Sequence, residues 1–220
     1  GPDVYGVLNR WYLLVLALLP SGFLLYYYLR QVQRAPEPWP RVAAACGAGA
    51  LAFGVVLTPQ GWVSGPLQAV PLLKPFLAFG LTEELIKLVA VLVAATHPRK
   101  WDRMSSGLVY GISVGLGFAA VENVGYVLST TGGALGTAAL RAVTAVPGHA
   151  LHSALVGVQL GKLHRIKSRS EGYRAVGVGL ALAILAHGFY DLLLEGEGYL
   201  KLGVVPLLAI EAWGVSVLFR

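Results

Sequence analysis

Four apolar stretches of this chain carry ionisable side chains at spacings suited to acid–base or metal chemistry. They are Glu83-Glu84-Leu85-Ile86-Lys87, Glu122-Asn123, His149 with His152, and His187-Gly188-Phe189-Tyr190-Asp191. Carboxylates and imidazoles can activate water, donate protons to leaving groups and bind Zn²⁺. In a bilayer each mid-helix charge costs about 2.5–3.5 kcal/mol on insertion scales, so we expect these groups to satisfy one another in one site.

The composition is that of a membrane protein. Hydrophobic residues make up 56% of the 220 positions and charged residues only 13%, and the mean hydropathy is +0.66. Soluble domains carry about 25% charged residues. Because an isolated strand in lipid leaves its backbone amides unpaired, we expect an all-α, polytopic integral membrane protein. Residues 1–220 then form a single transmembrane helical domain.

The apolar pattern predicts about seven transmembrane helices in one bundle, at roughly 20 residues each. Their approximate bounds are 11–29, 42–62, 75–96, 104–128, 137–161, 175–194 and 203–219. Segment 63–74, with Pro66 and Pro71, is expected to skim the membrane interface. Gly1-Pro2 is typical of the scar left by tag removal, and we find no cleavable signal peptide after it.

The basic residues predict the orientation. Twelve lie in the loops after spans one, three and five or at the C-terminus: Arg30, Arg34, Arg41, Arg99, Lys100, Arg103, Lys162, Arg165, Lys167, Arg169, Arg174 and Arg220. The opposite side has four: Arg10, Lys74, Arg141 and Lys201. Since cytoplasmic loops carry the excess of Lys and Arg, the N-terminus is expected outside and the C-terminus in the cytoplasm. The net charge of +6 then reflects orientation and not a nucleic-acid surface.

The depth of the ionisable groups suggests a shared pocket. At about 1.5 Å of rise per residue, all four stretches place these groups in the outer half of the membrane, so the pocket is expected to open toward the extracytoplasmic face. Gly107, Gly111 and Gly115 recur every four residues, a pattern that lets transmembrane helices approach closely. Glu122 lies on nearly the same face and is expected to point at a neighbouring helix.

Within the stretches, two pairs lie one helical turn apart. Glu83 and Lys87 have the favoured order for a helical ion pair, which leaves Glu84, about 100° further round, available as a base. Asp191 is placed to hold His187 in a single tautomer. A purely structural ion pair and a structural interhelical hydrogen bond explain the same spacings. His152 is either a second imidazole on the face of His149 or a packed neighbour.

Other protease signatures fail. The zinc-protease motif HExxH is absent. A GxSxG match at Gly111-Ile112-Ser113-Val114-Gly115 lies within a predicted span, without the strand–turn–helix context that exposes a nucleophile. The sole cysteine, Cys46, supports neither a disulfide framework nor a CxxC site.

Taken in order, the stretches resemble one family. EExxK at 83–87, Phe118-xxx-Glu122-Asn123-xx-Tyr126, a histidine opening the fifth span and HxxxD at 187–191 are similar to the motifs of the PrsW intramembrane proteases, distant relatives of the CAAX-processing and bacteriocin-processing membrane proteases. The resemblance covers about residues 75–194, which would be the catalytic core. The run from Arg141 to His149 resembles the family's third motif and favours His149 over His152.

The resemblance implies peptide-bond hydrolysis in a prokaryotic cell membrane by a multi-pass enzyme. The substrate would be a membrane-embedded single-span protein, such as an anti-sigma factor cut on its extracytoplasmic side, with no nucleic-acid partner. The implied catalytic residues are Glu83, Glu84, Lys87, Glu122, His149, His187 and Asp191. In a zinc mechanism Glu122, His149 and His187 would be the ligands, with Asp191 behind His187 and Glu84 as base. In a metal-free mechanism glutamate and histidine would activate water directly.

Two other classes of protein stay open from the residues alone. Buried Glu, His and Asp also suit a proton-coupled transporter, although no pair of segments looks like the broken helices of an inverted repeat. An inactive membrane scaffold is the third alternative, against which stands the number of intramembrane charges.

Overall fold

All regular secondary structure in the described part of the chain is helical. The computed structural model describes residues 11–32, 36–96, 98, 101–130 and 132–218. Its α-helices are α1 (Trp11–Gln31), α2 (Trp39–Ser64), α3 (Thr82–Ala94), α4 (Met104–Ser129), α5 (Ala134–Val143), α6 (Ala145–Lys162), α7 (Arg169–Glu195) and α8 (Val204–Leu218). The all-α prediction is confirmed. The predicted scar at Gly1-Pro2 and the charges Arg10, Arg34, Arg99, Lys100 and Arg220 lie outside the described residues.

Short helices of other types join these elements. Two 3₁₀-helices, Pro66–Ala69 and Pro71–Leu73, lead into a π-helical segment, Pro75–Leu81, that runs directly into α3. A further 3₁₀-helix, Gly198–Gly203, precedes α8. This π-helical segment comes directly before the first turn of α3, which carries Glu83 and Glu84. π-helical turns occur often at functional sites.

Five helical stretches of the described chain are long and apolar enough to cross a membrane. They are α1, α2, α4, α7 and the stretch Gly198–Leu218. The other two predicted spans, 75–96 and 137–161, are not single α-helices. The first combines the π-helical segment with α3, and the second is divided at Thr144 into α5 and α6. The count of seven membrane crossings therefore stays a prediction.

The break at Thr144 follows from Pro147. Proline has no N–H to donate and its ring clashes with the carbonyl four residues earlier, which here belongs to Val143, the last residue of α5. In the first turn of α6 the missing donor costs nothing, because those N–H groups lack helical partners anyway. The sequence prediction of one continuous helix over 137–161 is wrong for this reason.

Helix α4 is the centre of the bundle. Of its most apolar stretch 78% is buried, against values between 17% and 28% in the other four candidate spans. It packs most extensively against α6 and then against α2 and α1. Large apolar side chains such as Phe23, Leu51 and Ile210 are exposed on the outer helices, as expected where lipid replaces water.

Two close approaches between helices position the histidines. A Cβ on Gly115 would overlap the backbone carbonyl of His149, and Gly107 and Gly111 likewise face the backbone of α6. The glycine ridge predicted from the sequence is therefore confirmed. On the other side, a Cβ on Gly188 would overlap the ring of Phe76, so α7 lies against the π-helical segment and brings His187 beside the start of α3.

Candidate active site

Five of the seven predicted site residues line one cavity of about 250 Å³. They are Glu83, Glu122, His149, His187 and Asp191. Helices α3, α4, α6 and α7 each contribute, so the structure brings together the four motif-bearing stretches. The remaining two residues, Glu84 and Lys87, are buried behind the cavity wall.

Glu83 has one free oxygen beside the histidines. The side-chain amide of Gln60, in α2, donates to Oε1 at 3.0 Å. Oε2 has no hydrogen-bond partner in the described part of the chain, and it lies 3.6 Å from Nζ of Lys87 and 3.7 Å from Nε2 of His187. Since a buried polar atom without a partner is costly, this shielded oxygen is suited to bind a proton or a metal ion.

Glu84 is held in place through a single oxygen. Lys87 donates to Oε1 at 2.8 Å, and Nδ1 of His187 lies 2.8 Å from the same atom. The predicted ion pair of Lys87 with Glu83 is present at 3.6 Å. The expectation that Lys87 leaves Glu84 free is wrong, because the i,i+3 spacing also brings two side chains into contact. Glu84 is not among the residues that line the cavity.

His149 connects Lys87 to Glu122. Its Nδ1 lies 2.7 Å from Nζ of Lys87, and its Nε2 lies 2.7 Å from Oε2 of Glu122. An ammonium group has no acceptor, so Lys87 donates to Nδ1 and the ring proton is on Nε2, which donates to Glu122. Both ring nitrogens of His149 are thus engaged, and the imidazole is fixed in one tautomer.

Arg141, from α5, neutralises Glu122. Nη2 donates to Oε2 of Glu122 at 2.6 Å, Nε donates to Oδ1 of Asn123 at 2.6 Å, and the guanidinium lies 4.0 Å from the centre of the Tyr126 ring. Three side chains of the second motif are therefore bound to one arginine. The sequence placed Arg141 in a motif but did not predict this role.

His187 lies between three carboxylates. Besides the contact of Nδ1 with Glu84, its Nε2 is 3.4 Å from Oδ2 of Asp191. The predicted contact between His187 and Asp191 is present. It belongs to a larger set in which Glu83 and Glu84 approach the same ring.

A second carboxylate–histidine pair, Glu211 with His152, lies beside His187. Of these two residues, only His152 was a candidate from the sequence. His152 stacks on His187 with ring centres 5.2 Å apart, and its Nε2 is 3.4 Å from Oε2 of Glu211, in α8. Both oxygens of Glu211 and both ring nitrogens of His152 lack hydrogen-bond partners within the described ranges. Glu211 belongs to no motif, and the only signal for it was a lone carboxylate in an apolar helix.

Ser113 is not a nucleophile. Its side chain is fully buried inside α4 and donates to the backbone carbonyl of Val109 at 2.7 Å. The rejection of the GxSxG match is therefore confirmed.

Comparison with known proteins agrees with these features. A family model described as "PrsW family intramembrane metalloprotease" matches residues 37–215. The chain belongs to this family. "Protease PrsW" of Halalkalibacterium halodurans is 28% identical over 204 residues, covering 91% of this chain and 92% of that protein. "Protease PrsW" of Geobacillus kaustophilus is 31% identical over 194 residues, covering 88% and 78%. No solved structure matches the chain.

Membership of the PrsW family decides between the three classes of protein left open by the sequence. The chain is a peptidase and a multi-pass membrane protein with bacterial relatives, so the transporter and the inactive scaffold are set aside. The resemblance on which the sequence analysis relied is confirmed.

The family description implies a metal ion, and the buried donors fit one. In the described residues, two groups of three have ligand atoms that all lie within 4.8 Å of one another: Glu83, His149 and His187, and Glu84, His152 and His187. Two imidazoles and a carboxylate are a catalytic zinc set. The set predicted from the sequence, Glu122, His149 and His187, is neither of these two groups. Glu122 contacts Nε2 of His149 and is bound to Arg141.

The balance of charge also favours a cation. Two cationic side chains, Lys87 and Arg141, contact this cluster in the described chain. Facing them are five carboxylates: Glu83, Glu84, Glu122, Asp191 and Glu211. A buried charge without a partner is strongly unfavourable, so bound cations or protons must supply the difference.

Proposed function

We propose that this chain hydrolyses a peptide bond of a single-span membrane protein, of the anti-sigma-factor kind, near the extracytoplasmic face. The observation that carries the proposal is the position of Glu83, which lines the cavity together with His149 and His187 and whose ligand atom lies within 4.8 Å of theirs. The whole chain would act as one transmembrane domain with its catalytic core at about 75–194, to which α2 adds Gln60.

Amide hydrolysis requires an activated water, a proton for the leaving amine and stabilisation of the oxyanion. Glu83 is assigned to accept the proton of the water, in place of Glu84, because Glu83 lines the cavity and Glu84 does not. The imidazole of His187 would donate a proton to the leaving amine. The Nε2–H group of His149 would stabilise the oxyanion once it turns from Glu122, its partner in this structure. Glu122 would orient His149 through Nε2, Glu84 would orient His187 through Nδ1, and Lys87 would fix Glu84 and His149. Asp191 would contact Nε2 of His187 from the cavity.

If the enzyme works with zinc, His149, His187 and Glu83 would hold the ion. A bound zinc ion would polarise the carbonyl of the substrate and would let a bound water ionise near neutral pH. The contacts of Glu122 with Nε2 of His149 and of Glu84 with Nδ1 of His187 match the carboxylate–histidine pairs that orient metal ligands. Asp191 contacts Nε2 of His187, the nitrogen that faces Glu83. Because Lys87 occupies Nδ1 of His149, binding through that nitrogen would require Lys87 to release it.

The proposed extracytoplasmic position is supported by the ends of three helices. Gln60 near the end of α2, Ser129 at the end of α4 and Glu195 at the end of α7 all line this region. These ends lie away from the basic loops, which the charge distribution assigns to the cytoplasm. The site would therefore open toward the outer face.

Thiol labelling tests this orientation in intact cells. In a chain with Cys46 replaced by Ala, single cysteines in segments 162–174 and 97–103 should be protected from an impermeant reagent, and one at 195–200 should react. Labelling of both basic loops from outside would contradict the N-out arrangement.

The activity itself is tested with purified protein in detergent or proteoliposomes and a panel of single-span substrates. Mass spectrometry of the products should locate one cleavage near the extracytoplasmic end of the span. This cleavage should be absent with Glu83→Gln protein of unchanged melting temperature.

Metal analysis and treatment with a strong chelator then separate the two mechanisms. Removal of about one equivalent of zinc should abolish cleavage, and its return should restore it. Full activity of a metal-free preparation would exclude the zinc form, and absence of cleavage of every substrate would contradict the proposed function.

A further inference from the structure

A second cavity, of about 260 Å³, lies on the other side of Glu83 and Glu122. It shares four lining residues with the first cavity: Phe79, Glu83, Glu122 and Tyr126. The two spaces therefore meet at the carboxylates. A polypeptide whose scissile bond lies at Glu83 would extend into both.

The two cavities differ in character. Arg141, Asp191 and Glu195 help to line the first one. Phe53 and Leu57, one turn apart on α2, form the apolar wall of the second together with Phe79. Phe53 is fixed by an edge-on contact with Phe118, with ring centres 5.4 Å apart, so this wall is preformed.

The second cavity opens at the side of the bundle. Leu57 is 52% exposed and Tyr126 is 51% exposed, although both line it. Between α2 and α4 the protein therefore leaves a lateral opening at the depth of the catalytic carboxylates. A segment that is itself embedded in the membrane could enter there without crossing the polar surface.

We propose that this second cavity is a subsite for one large apolar side chain of the substrate, next to the scissile bond. The proposal rests on the proposed peptidase function and deepens it. The volume is below the roughly 300–1,000 Å³ of sites that take whole small molecules, which fits a single side chain. The apolar wall selects Leu- or Phe-like side chains, and Gln60 and Ser129 at its polar edge are placed to meet the peptide backbone.

Gly125 sets the size of this subsite. It lies on α4 in the cavity wall, and a Cβ there would have one atom nearby, Cζ of Phe53, at 4.0 Å. A side chain at position 125 would thus fill the cavity without overlapping the backbone. Because leucine favours a helix more than glycine does, Gly125→Leu should fold.

The test compares kcat/KM for matched substrates that carry Ala, Leu or Phe next to the scissile bond. For Gly125→Leu we expect the preference for Leu and Phe over Ala to fall by about 10- to 200-fold, the range expected when methylene-sized contacts are lost. Leu57→Ala should enlarge the subsite and shift the preference toward Phe. Gly47→Leu, at an exposed glycine of α2 with no atom within 4 Å, is the matched control and should leave the preference unchanged.

The outcomes separate the subsite from the function. The subsite proposal would be wrong if each variant changed kcat/KM equally for all three substrates. It would also be wrong if a lipid chain filled the cavity throughout turnover. If the wild type cleaves nothing, the proposed function fails instead.

Crosslinking gives a measurement that does not depend on turnover. A photo-crosslinker at position 57 in Glu83→Gln protein should capture the substrate residue next to the scissile bond, and capture of lipid alone would contradict the proposal.

Discussion

The two sides of His187 use their carboxylates differently. On the cavity side, Glu83 lines an open space of about 250 Å³ and lies 3.7 Å from Nε2 of His187. On the closed side, Glu84 shares one oxygen between Lys87 and His187, and the gap beside Glu84 and Lys87 has no room for a water molecule. In each glutamate of the motif one oxygen has no hydrogen-bond partner among the described residues, and the two differ because Glu83 lines the cavity and Glu84 does not. A carboxylate at a cavity suits chemistry, and one held by Lys87 and His187 suits stability.

Loss of Lys87 should have the largest effect on the closed side. Lys87→Met removes the cation that contacts Glu84 at 2.8 Å and His149 at 2.7 Å. Breaking a buried ion pair by deleting one partner costs about 3–5 kcal/mol, so the free energy of unfolding in detergent should fall by that amount. Lys201→Met, at an exposed lysine, is the control. A melting temperature equal to that of the wild type would mean that the closed side does not stabilise the fold.

An intermediate effect is expected on the cavity side at Asp191. Asp191→Asn weakens the support of His187, whose Nε2 lies 3.4 Å from Oδ2. Loss of such a partner typically lowers metal affinity by about 10–100-fold, which competition with a chelator of known affinity would measure. Glu195→Gln, one turn further along the same cavity wall, should retain wild-type affinity. Equal retention of zinc by both variants would separate Asp191 from the metal site.

The smallest effect, and one of opposite sign, is expected at Glu211. Its carboxylate is buried without a hydrogen-bond partner among the described residues, and a group in that state costs about 1–3 kcal/mol or more. Glu211→Leu should therefore raise the free energy of unfolding by at least about 1 kcal/mol, while Glu197→Leu, at an exposed site, should not. A large loss of stability would show that Glu211 has a partner and that the closed side is better paired than described.

The motif spacing was sufficient to predict that four helices share one polar site. Helical periodicity fixes which residues lie on one face, and the cost of charge in lipid requires them to meet. The approach of α6 to α4 could also be predicted, because glycines every four residues leave the backbone open along one ridge. These inferences depend on local spacing alone.

The assignment of the two glutamates could not be predicted in the same way. Which of Glu83 and Glu84 faces the cavity depends on how α7 meets the π-helical segment at Gly188, a contact between distant parts of the chain. Gln60 and Glu211 were missed for the same reason, because each meets its partner only through the fold. The helix break at Thr144 is different, because Pro147, which causes it, is a local feature of the sequence.

The most direct test of the account compares Glu83→Gln with Glu84→Gln, measuring turnover and melting temperature for each. Both changes keep the shape of the side chain and remove its charge. We expect Glu83→Gln to lower kcat by about 10²–10⁴-fold, the usual contribution of a general base, with an unchanged melting temperature. Glu84→Gln should lower the melting temperature clearly and retain turnover in the folded fraction. Loss of turnover in Glu84→Gln at full stability, with near-wild-type turnover in Glu83→Gln, would contradict the assignment of chemistry to the cavity side.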